Sequence, residues 1–451
     1  MPYLSLNPTT GECLQAFDNH TASDVSHILE KVAHAQVEWA ERSLVERAAV
    51  IRQAANLLQQ GRVDFAALIT REMGKLNREA LDEVDKCAAL LRWFADNVSF
   101  ILADESVDGD GNVITYAPLG VVLGIMPWNY PFSQVFRYAG AALVAGNGCL
   151  LKHAANVPQC ALAIEAFWYQ AGLPADLFRV LLIEPDDVPV VVAAPQVQAV
   201  ALTGSEAAGR AVAAVAGANL KKTVLELGGS DPFIVLADAD LDWTLSQATP
   251  ARFTNCGQSC LSAKRFIVVP EIAERFVEGL ASVVARLTPG DPNLPSSCLA
   301  PMARAMLRDK LHEQVVTTLA MGAAKQVGCQ HGDGNGLFYQ ASLIDHVPPG
   351  SPAYMDELFG PVAAVIRARN EADAIRIAND NRFGLGGSIW SEDQSRAIEL
   401  AKQLKAGYIG INRVCRSDPR LPLGGVKASG YGREMGAAGL REFVNIKVLR
   451  G

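Results

Sequence analysis

From Val113 onward the chain alternates short, unbroken apolar runs with stretches of helical periodicity, and that alternation leaves few folds open. The runs at 121–126 (VVLGIM), 148–152 (GCLLK), 178–183 (FRVLLI) and 197–203 (VQAVALT) read as strands buried on both faces, and 160–172 and 205–217 as the helices between them. Such alternation predicts an α/β fold built on a parallel, doubly wound sheet. Ligands of that fold bind at the carboxyl ends of the strands, with a nucleotide as the default. After VLELGG (224–229) the pattern restarts, with strands at 232–236, 264–269 and 362–368 and helices from Leu241, over 274–287 and over 371–381. A second α/β domain is therefore placed at about 230–425, its boundary near Gly228 and Gly229. A chain of 451 residues has ample material for two domains and a deep cleft between them.

The N-terminal part reads as helical scaffold. Thr21 and Asp24 have capping-box spacing, and Val25, Ile28, Leu29 and Val32 share a face. The segment 42–78 continues in the same manner, with EMGK (72–75) as a break. The uncharged stretch 114–132 contains Pro118, Pro127 and Pro131, which would leave backbone groups unpaired in lipid, so it predicts a buried strand and a loop rather than a membrane span. A formal charge of −8 without a basic run argues against nucleic acid or an anionic membrane as partner. The N-terminus lacks the succession of a signal peptide, so a cytoplasmic location with reduced thiols is expected. Nine cysteines form no Cys-x-x-Cys pair and seven histidines no His-Glu-x-x-His, which argues against a metal site.

Several residues are ambiguous one at a time. Cys256 and Cys260 lie amid small polar residues in NCGQSC, and each is either a packed thiol or a reactive one. Glu226 is a carboxyl group inside an apolar strand, which implies either a buried salt bridge or a general base of raised pKa. The two glycines after it would let another backbone or a ligand come close. Asn129, between prolines at a strand end, either closes a turn or holds an amide toward developing negative charge. Gly204 and Ser205 open a helix, which is either plain punctuation or an anion site. Lys152 and Glu357 are charged residues whose local sequence favours neither solvent nor ligand.

Taken in order, PWNYPF (127–132), LTGSEAAG (202–209), LELGGSDPFIV (225–235), GQSC (257–260), DELFGPV (356–362) and GGVKASGYGRE (424–434) resemble the aldehyde dehydrogenase superfamily. The resemblance runs from NPTTGE at residue 7 to the C-terminus. It is nearest to the short bacterial succinate-semialdehyde dehydrogenases. It implies two doubly wound parallel-sheet domains with a small β oligomerisation element. The cofactor-binding domain would comprise 1–104, 119–229 and about 426–436, the catalytic domain 230–425, and the oligomerisation strands 105–118 and 437–451. Cys260 would be the nucleophile, a low-pKa thiol prone to oxidation, with Cys256 a neighbour without a required role. Glu226 would be the base activating the thiol or the deacylating water, and Asn129 with the Cys260 backbone N–H the oxyanion hole.

The resemblance also implies cofactor contacts by Trp128, Lys152, Gly204, Ser205, Glu357 and Phe359. Where many NAD-preferring members carry a carboxylate three residues after the lysine, this chain has Ala155. NADP is therefore expected as cofactor, favoured over NAD, with Lys152 and His153 helping to attract its 2′-phosphate. Arg137 matches the arginine that receives the distal carboxylate of succinate semialdehyde, with Ser259, Arg413 and Ser417 as further substrate contacts. The expected reaction is NAD(P)-dependent oxidation of succinate semialdehyde to succinate. The alternative substrates are glutarate semialdehyde and small aliphatic or aromatic aldehydes. A homodimer or homotetramer is expected, because an apolar terminal strand left alone would be an exposed edge.

Overall fold

The computed structural model describes residues 3–107 and 111–451. Among these, two large sheets carry the fold. The first has six strands in the order Gly430–Tyr431, Lys222–Glu226, Val197–Thr203, Val121–Met126, Gly148–His153 and Phe178–Val180. All neighbours are parallel except Gly430–Tyr431, which runs antiparallel to Lys222–Glu226. The second has seven, in the order Ala324–Val327, Ser342–Asp345, Val362–Arg367, Ala263–Val268, Asp231–Val235, Gly386–Trp390 and Tyr408–Ile411. Only Ala324–Val327 is antiparallel.

Period-two alternation explains why these runs are uniformly apolar. In the first sheet Val122, Leu151 and Ala201 point into a core with Trp39, Leu91, Phe94 and Phe136, while Val121, Leu150 and Val200 point into one with Val25, Val32, Val191 and Val212. Both faces are covered by helices, so every strand residue must be apolar or paired.

The N-terminal helix Ala22–Ala40 starts as the sequence predicts. Thr21 Oγ1 accepts from Asp24 N at 3.2 Å and Asp24 Oδ2 accepts from Thr21 N at 2.9 Å, and the four apolar positions from Val25 to Val32 are buried. The break falls at Gly74, whose left-handed φ of 85° ends the helix Arg62–Met73. The segment 114–132 forms the strands Val113–Pro118 and Val121–Met126 followed by a loop. Among the described residues no helix is long and apolar enough to cross a membrane.

The run 178–183 is shorter than expected, with strand geometry only over Phe178–Val180. It is an edge, and donors from the N-terminal segment take its later carbonyls: His20 N donates to Leu182 O at 2.8 Å and the Tyr3 hydroxyl to Ile183 O at 2.5 Å. Val444–Leu449, Val113–Pro118 and Glu105–Ser106 make a separate antiparallel sheet, with Val444–Leu449 on its outside. Residues 108–110 of the expected oligomerisation segment lie outside the described residues.

Candidate active site

In the first sheet Val121–Met126 has its sequence successors on one side and Val197–Thr203 on the other, so the strand order reverses beside it. The parallel strands there end on a common edge and release Pro127–Asn129, Gly204–Ser205 and Leu227–Gly228, where a doubly wound sheet opens a crevice. A cavity of about 560 Å³ occupies that place. Its walls unite Trp128, Asn129, Gly204 and Ser205 from the first sheet with Cys260, Glu357 and Phe359 from the second domain.

A dinucleotide needs flat walls, an anion-tolerant end and a hydroxyl acceptor, and the cavity offers all three. The Trp128 and Phe359 rings meet edge to face at 5.8 Å. The first turn of the helix Glu206–Ala218, capped by the Ser205 hydroxyl, forms part of the wall. The one acidic residue in that turn, Glu206, is paired with Arg210 at 2.9 Å and Arg382 at 3.0 Å, so its charge is compensated. The Glu357 carboxylate supplies the acceptor.

The loop that leads to Cys260 is shaped by three consecutive positive-φ residues, Asn255 (56°), Cys256 (55°) and Gly257 (68°). Non-glycine residues persist there only when their surroundings hold them. Glu79 accepts from Asn255 N at 3.1 Å through either oxygen. The Asn255 amide donates to Asn129 O at 2.8 Å and Gln258 O at 3.1 Å. The buried Arg252 guanidinium donates to Val362 O at 2.6 Å, Leu358 O at 2.7 Å, Gly257 O at 3.3 Å and Gly360 O, which ties this loop to DELFGPV. Asn129 Nδ2 donates to Gln258 O at 3.0 Å. An amide nitrogen has two N–H groups, so one donor remains.

Cys256 is buried in the core of the second domain, and burial pushes its thiol far up. Cys260 is partly exposed and lines the cavity. Its thiol corrects the expectation of a low pKa. Burial at the foot of the cavity raises it to about 11, with Lys264 and Arg137 pulling it down and Glu357 and Glu226 pushing it up. The thiol is thus held in its protonated form at neutral pH, so a base is required. Glu226 ends the strand Lys222–Glu226 and is 3% exposed. Burial first, then the neighbouring Glu434, raises its carboxyl to about 8, against the pull of Arg137 and Arg433. Its Oε1 has no hydrogen-bond partner among the described residues.

The glycines after Glu226 do permit close approach: a Cβ on Gly228 would stand 2.7 Å from Glu357 Oε2, and one on Gly229 2.7 Å from Cys260 O.

The remaining expected contacts lie off the cavity wall. Lys152 is buried at the end of Gly148–His153, its ammonium 5.7 Å from the Tyr3 ring, and burial lowers its pKa while Glu184 opposes that. Ala155 is exposed. His153 corrects the expectation of a second cation there. It is 2% exposed, its Nε2 lies 2.9 Å from Pro131 O, its Nδ1 accepts from Ala154 N at 2.9 Å, and burial drives its pKa to about 4, so it is neutral. Arg137 is 6% exposed and forms a buried ion pair with Glu434, Nε to Oε2 at 2.7 Å, and it also donates to Gln134. Ser259 adjoins Cys260, and its carbonyl accepts from Lys264 Nζ at 2.6 Å. Arg413 is exposed and Ser417 half-buried in the loop after Tyr408–Ile411.

Sequence reasoning missed Glu79, Arg252, Lys264 and Glu434. Lys264 and Arg265 at the start of the buried strand Ala263–Val268 carried the same signal as Glu226, a charge in an apolar run.

A doubly wound sheet with a cavity at its switch point, a cysteine at the floor and a buried carboxyl group beside it define an aldehyde dehydrogenase. The chain belongs to the aldehyde dehydrogenase family, whose model matches residues 2–449. Within it, the chain is 45% identical to a probable succinate-semialdehyde dehydrogenase [NADP(+)] of Synechocystis sp., over 100% of this chain and 99% of that protein. It is 43% identical to the succinate-semialdehyde dehydrogenase [NADP(+)] of Deinococcus radiodurans, covering 100% and 94%. Among solved structures it is similar to succinic semialdehyde dehydrogenase from Streptococcus pyogenes in complex with NADP+, at 38% identity, TM-score 0.97 and 99% coverage of each chain.

Proposed function

We propose that the chain oxidises succinate semialdehyde to succinate with NADP, favoured over NAD, as cofactor. The observation that carries this is the single cavity joining Cys260 to the cofactor-binding edge of the first sheet, in a chain similar over its full length to relatives of that name. Gly204, Ser205, Trp128, Phe359 and Glu357, with Lys152 beyond them, would hold the cofactor, which when bound supplies the hydride acceptor. Ala155 places no carboxylate against a 2′-phosphate.

In the chain's own part of the reaction, Cys260 yields its proton to a base and its sulfur bonds to the aldehyde carbon. The former carbonyl oxygen becomes an anion, met by the free N–H of Asn129 Nδ2 and the Cys260 backbone N–H. One such donor is worth about 10²–10³ in rate. After the hydride has left, a thioester remains on Cys260. The ionised Glu226 takes a proton from water, whose oxygen attacks the thioester carbon, releasing the acid and the thiolate.

The site requires the first sheet to serve the cofactor and the second domain to serve the thiol. The outer strand Val444–Leu449, with Ile446 and Val448 exposed, supports a homodimer or a tetramer of two such dimers, and nine unpaired cysteines suit a reducing cytoplasm.

The Arg137–Glu434 pair favours a second reading, in which aldehydes without a distal carboxylate are the substrates. Initial rates with succinate semialdehyde, glutarate semialdehyde and propanal, each with NADP and NAD, decide between them. We expect the highest kcat/KM for succinate semialdehyde with NADP, and a loss of about tenfold or more in the Arg137→Ala variant specific to the acidic aldehydes. Equal losses on all three would leave Arg137 a structural role and sustain the second reading.

A further inference from the structure

Lys264 is the second residue of the strand Ala263–Val268, its side chain 0% exposed. A buried ammonium is costly unless each of its three N–H groups is met. Here all three are: Nζ donates to Ser259 O at 2.6 Å and Cys260 O at 2.6 Å, and lies 3.1 Å from Glu357 Oε1. The same Glu357 oxygen accepts from Gly229 N at 3.2 Å, while Oε2 is turned to Gly228 and the cavity. One cation thus sits between the carbonyl of the nucleophile itself and a carboxylate on the cavity wall.

We propose that Lys264 is a positioning residue that clamps the Cys260 loop to Glu357 and favours the thiolate, linking the state of the thiol to the group that would meet the cofactor's ribose. The link to the cofactor rests on the functional reading above; the effect on the thiol does not. The charges facing the Cys260 sulfur are Lys264, Arg137, Glu357 and Glu226, and of the two cations Lys264 has the larger influence. A guanidinium cannot reproduce the tripod, because its donors are fixed in a plane.

The test is the pH profile of Cys260 alkylation by iodoacetamide in the cofactor-free protein, read by mass spectrometry of the Cys260 peptide because eight other cysteines are present. In Lys264→Met, and in Lys264→Gln should the methionine variant not fold, the profile should move to higher pH by about one unit, roughly tenfold slower at a fixed pH below the midpoint. Lys264→Arg, which keeps the charge, should hold the midpoint near wild type. It should also raise the KM for NADP several-fold with a smaller change in kcat. A neutral variant with native near-ultraviolet circular dichroism and an unmoved profile would overturn the proposal. If neither neutral variant folds, an arginine variant displaced upward by a full unit does so instead. Because alkylation needs neither aldehyde nor cofactor, failure of the succinate semialdehyde reading leaves this result intact.

Discussion

Glu226 owes its chemistry to a cost. A carboxyl group at the end of an apolar strand loses its hydration, and a second buried carboxyl, Glu434, stands close enough to resist its ionisation further. The folded-state pKa of about 8 lies above the usual carboxylate range, so the group is protonated below that pH and a base only above it. At neutral pH the protonated form predominates, and thioester hydrolysis should therefore rise with pH through about 8. Replacing Glu226 by Gln should flatten that limb and lower kcat by about 10²–10⁴-fold, while a stopped-flow burst of reduced cofactor persists, since thioester formation precedes the hydrolytic step. An unchanged limb and kcat would place the base elsewhere, whereas a lost burst would make Glu226 the base for the thiol as well. Arg137 is the counterpart: it offsets Glu434, so its removal changes the electrostatics of the base as well as any contact with substrate. For that reason its test compares acidic with neutral aldehydes rather than absolute rates.

At the scale of the element, the loop from Asn255 to Cys260 is a left-handed turn gripped from three directions, by Glu79, Asn129 and Arg252. Its approach to the first sheet depends on Gly229, where a Cβ would fall 2.7 Å from Cys260 O. Gly229→Ala should accordingly leave expression and secondary structure intact and cut kcat about tenfold or more through displacement of the thiol, as seen by steady-state kinetics beside far-ultraviolet circular dichroism. Full activity in that variant would show that the loop tolerates the shift.

The parallel strands of the first sheet and the three central strands of the second, Asp231–Val235, Ala263–Val268 and Val362–Arg367, were legible because burial on two faces forces continuous apolar runs, and the Thr21 cap because its chemistry is local; Ser342–Asp345, Gly386–Trp390, Tyr408–Ile411 and the edges Ala324–Val327 and Gly430–Tyr431 were not read. Phe178–Val180 was overestimated because the competing donors, His20 and Tyr3, lie more than 150 residues away. Cys260, Asn129 and Glu226 were marked by family motifs. Arg252 was not, since its partners are main-chain carbonyls, which leave no trace in residue identity; Lys264 showed as a charge in an apolar run, but its partners, two carbonyls and Glu357, did not. The neutrality of His153 was equally hidden, being a consequence chiefly of burial, with the Lys152 charge beside it.

At the scale of the molecule, the strand Val444–Leu449 pairs along its whole length with Val113–Pro118 and turns its other edge outward, with Ile446 58% and Val448 63% exposed. An open apolar edge is a pairing surface. The proposed dimer should run as an oligomer in analytical ultracentrifugation and dissociate into monomers in Val448→Lys, and an oligomer that survives the charge would move the interface off this strand. The same terminal region does a second thing. Gly430–Tyr431 closes the first sheet against Lys222–Glu226, Leu227 N donates to Ser429 O at 3.0 Å, and the Ser429 hydroxyl donates to Gly228 O at 2.6 Å. Glu226 is therefore seated by residues some two hundred positions downstream. During synthesis the loop carrying Cys260 emerges long before the segment that completes the pocket of Glu226, so in the proposed mechanism a ribosome-bound chain carries the sulfur without the means to discharge a thioester.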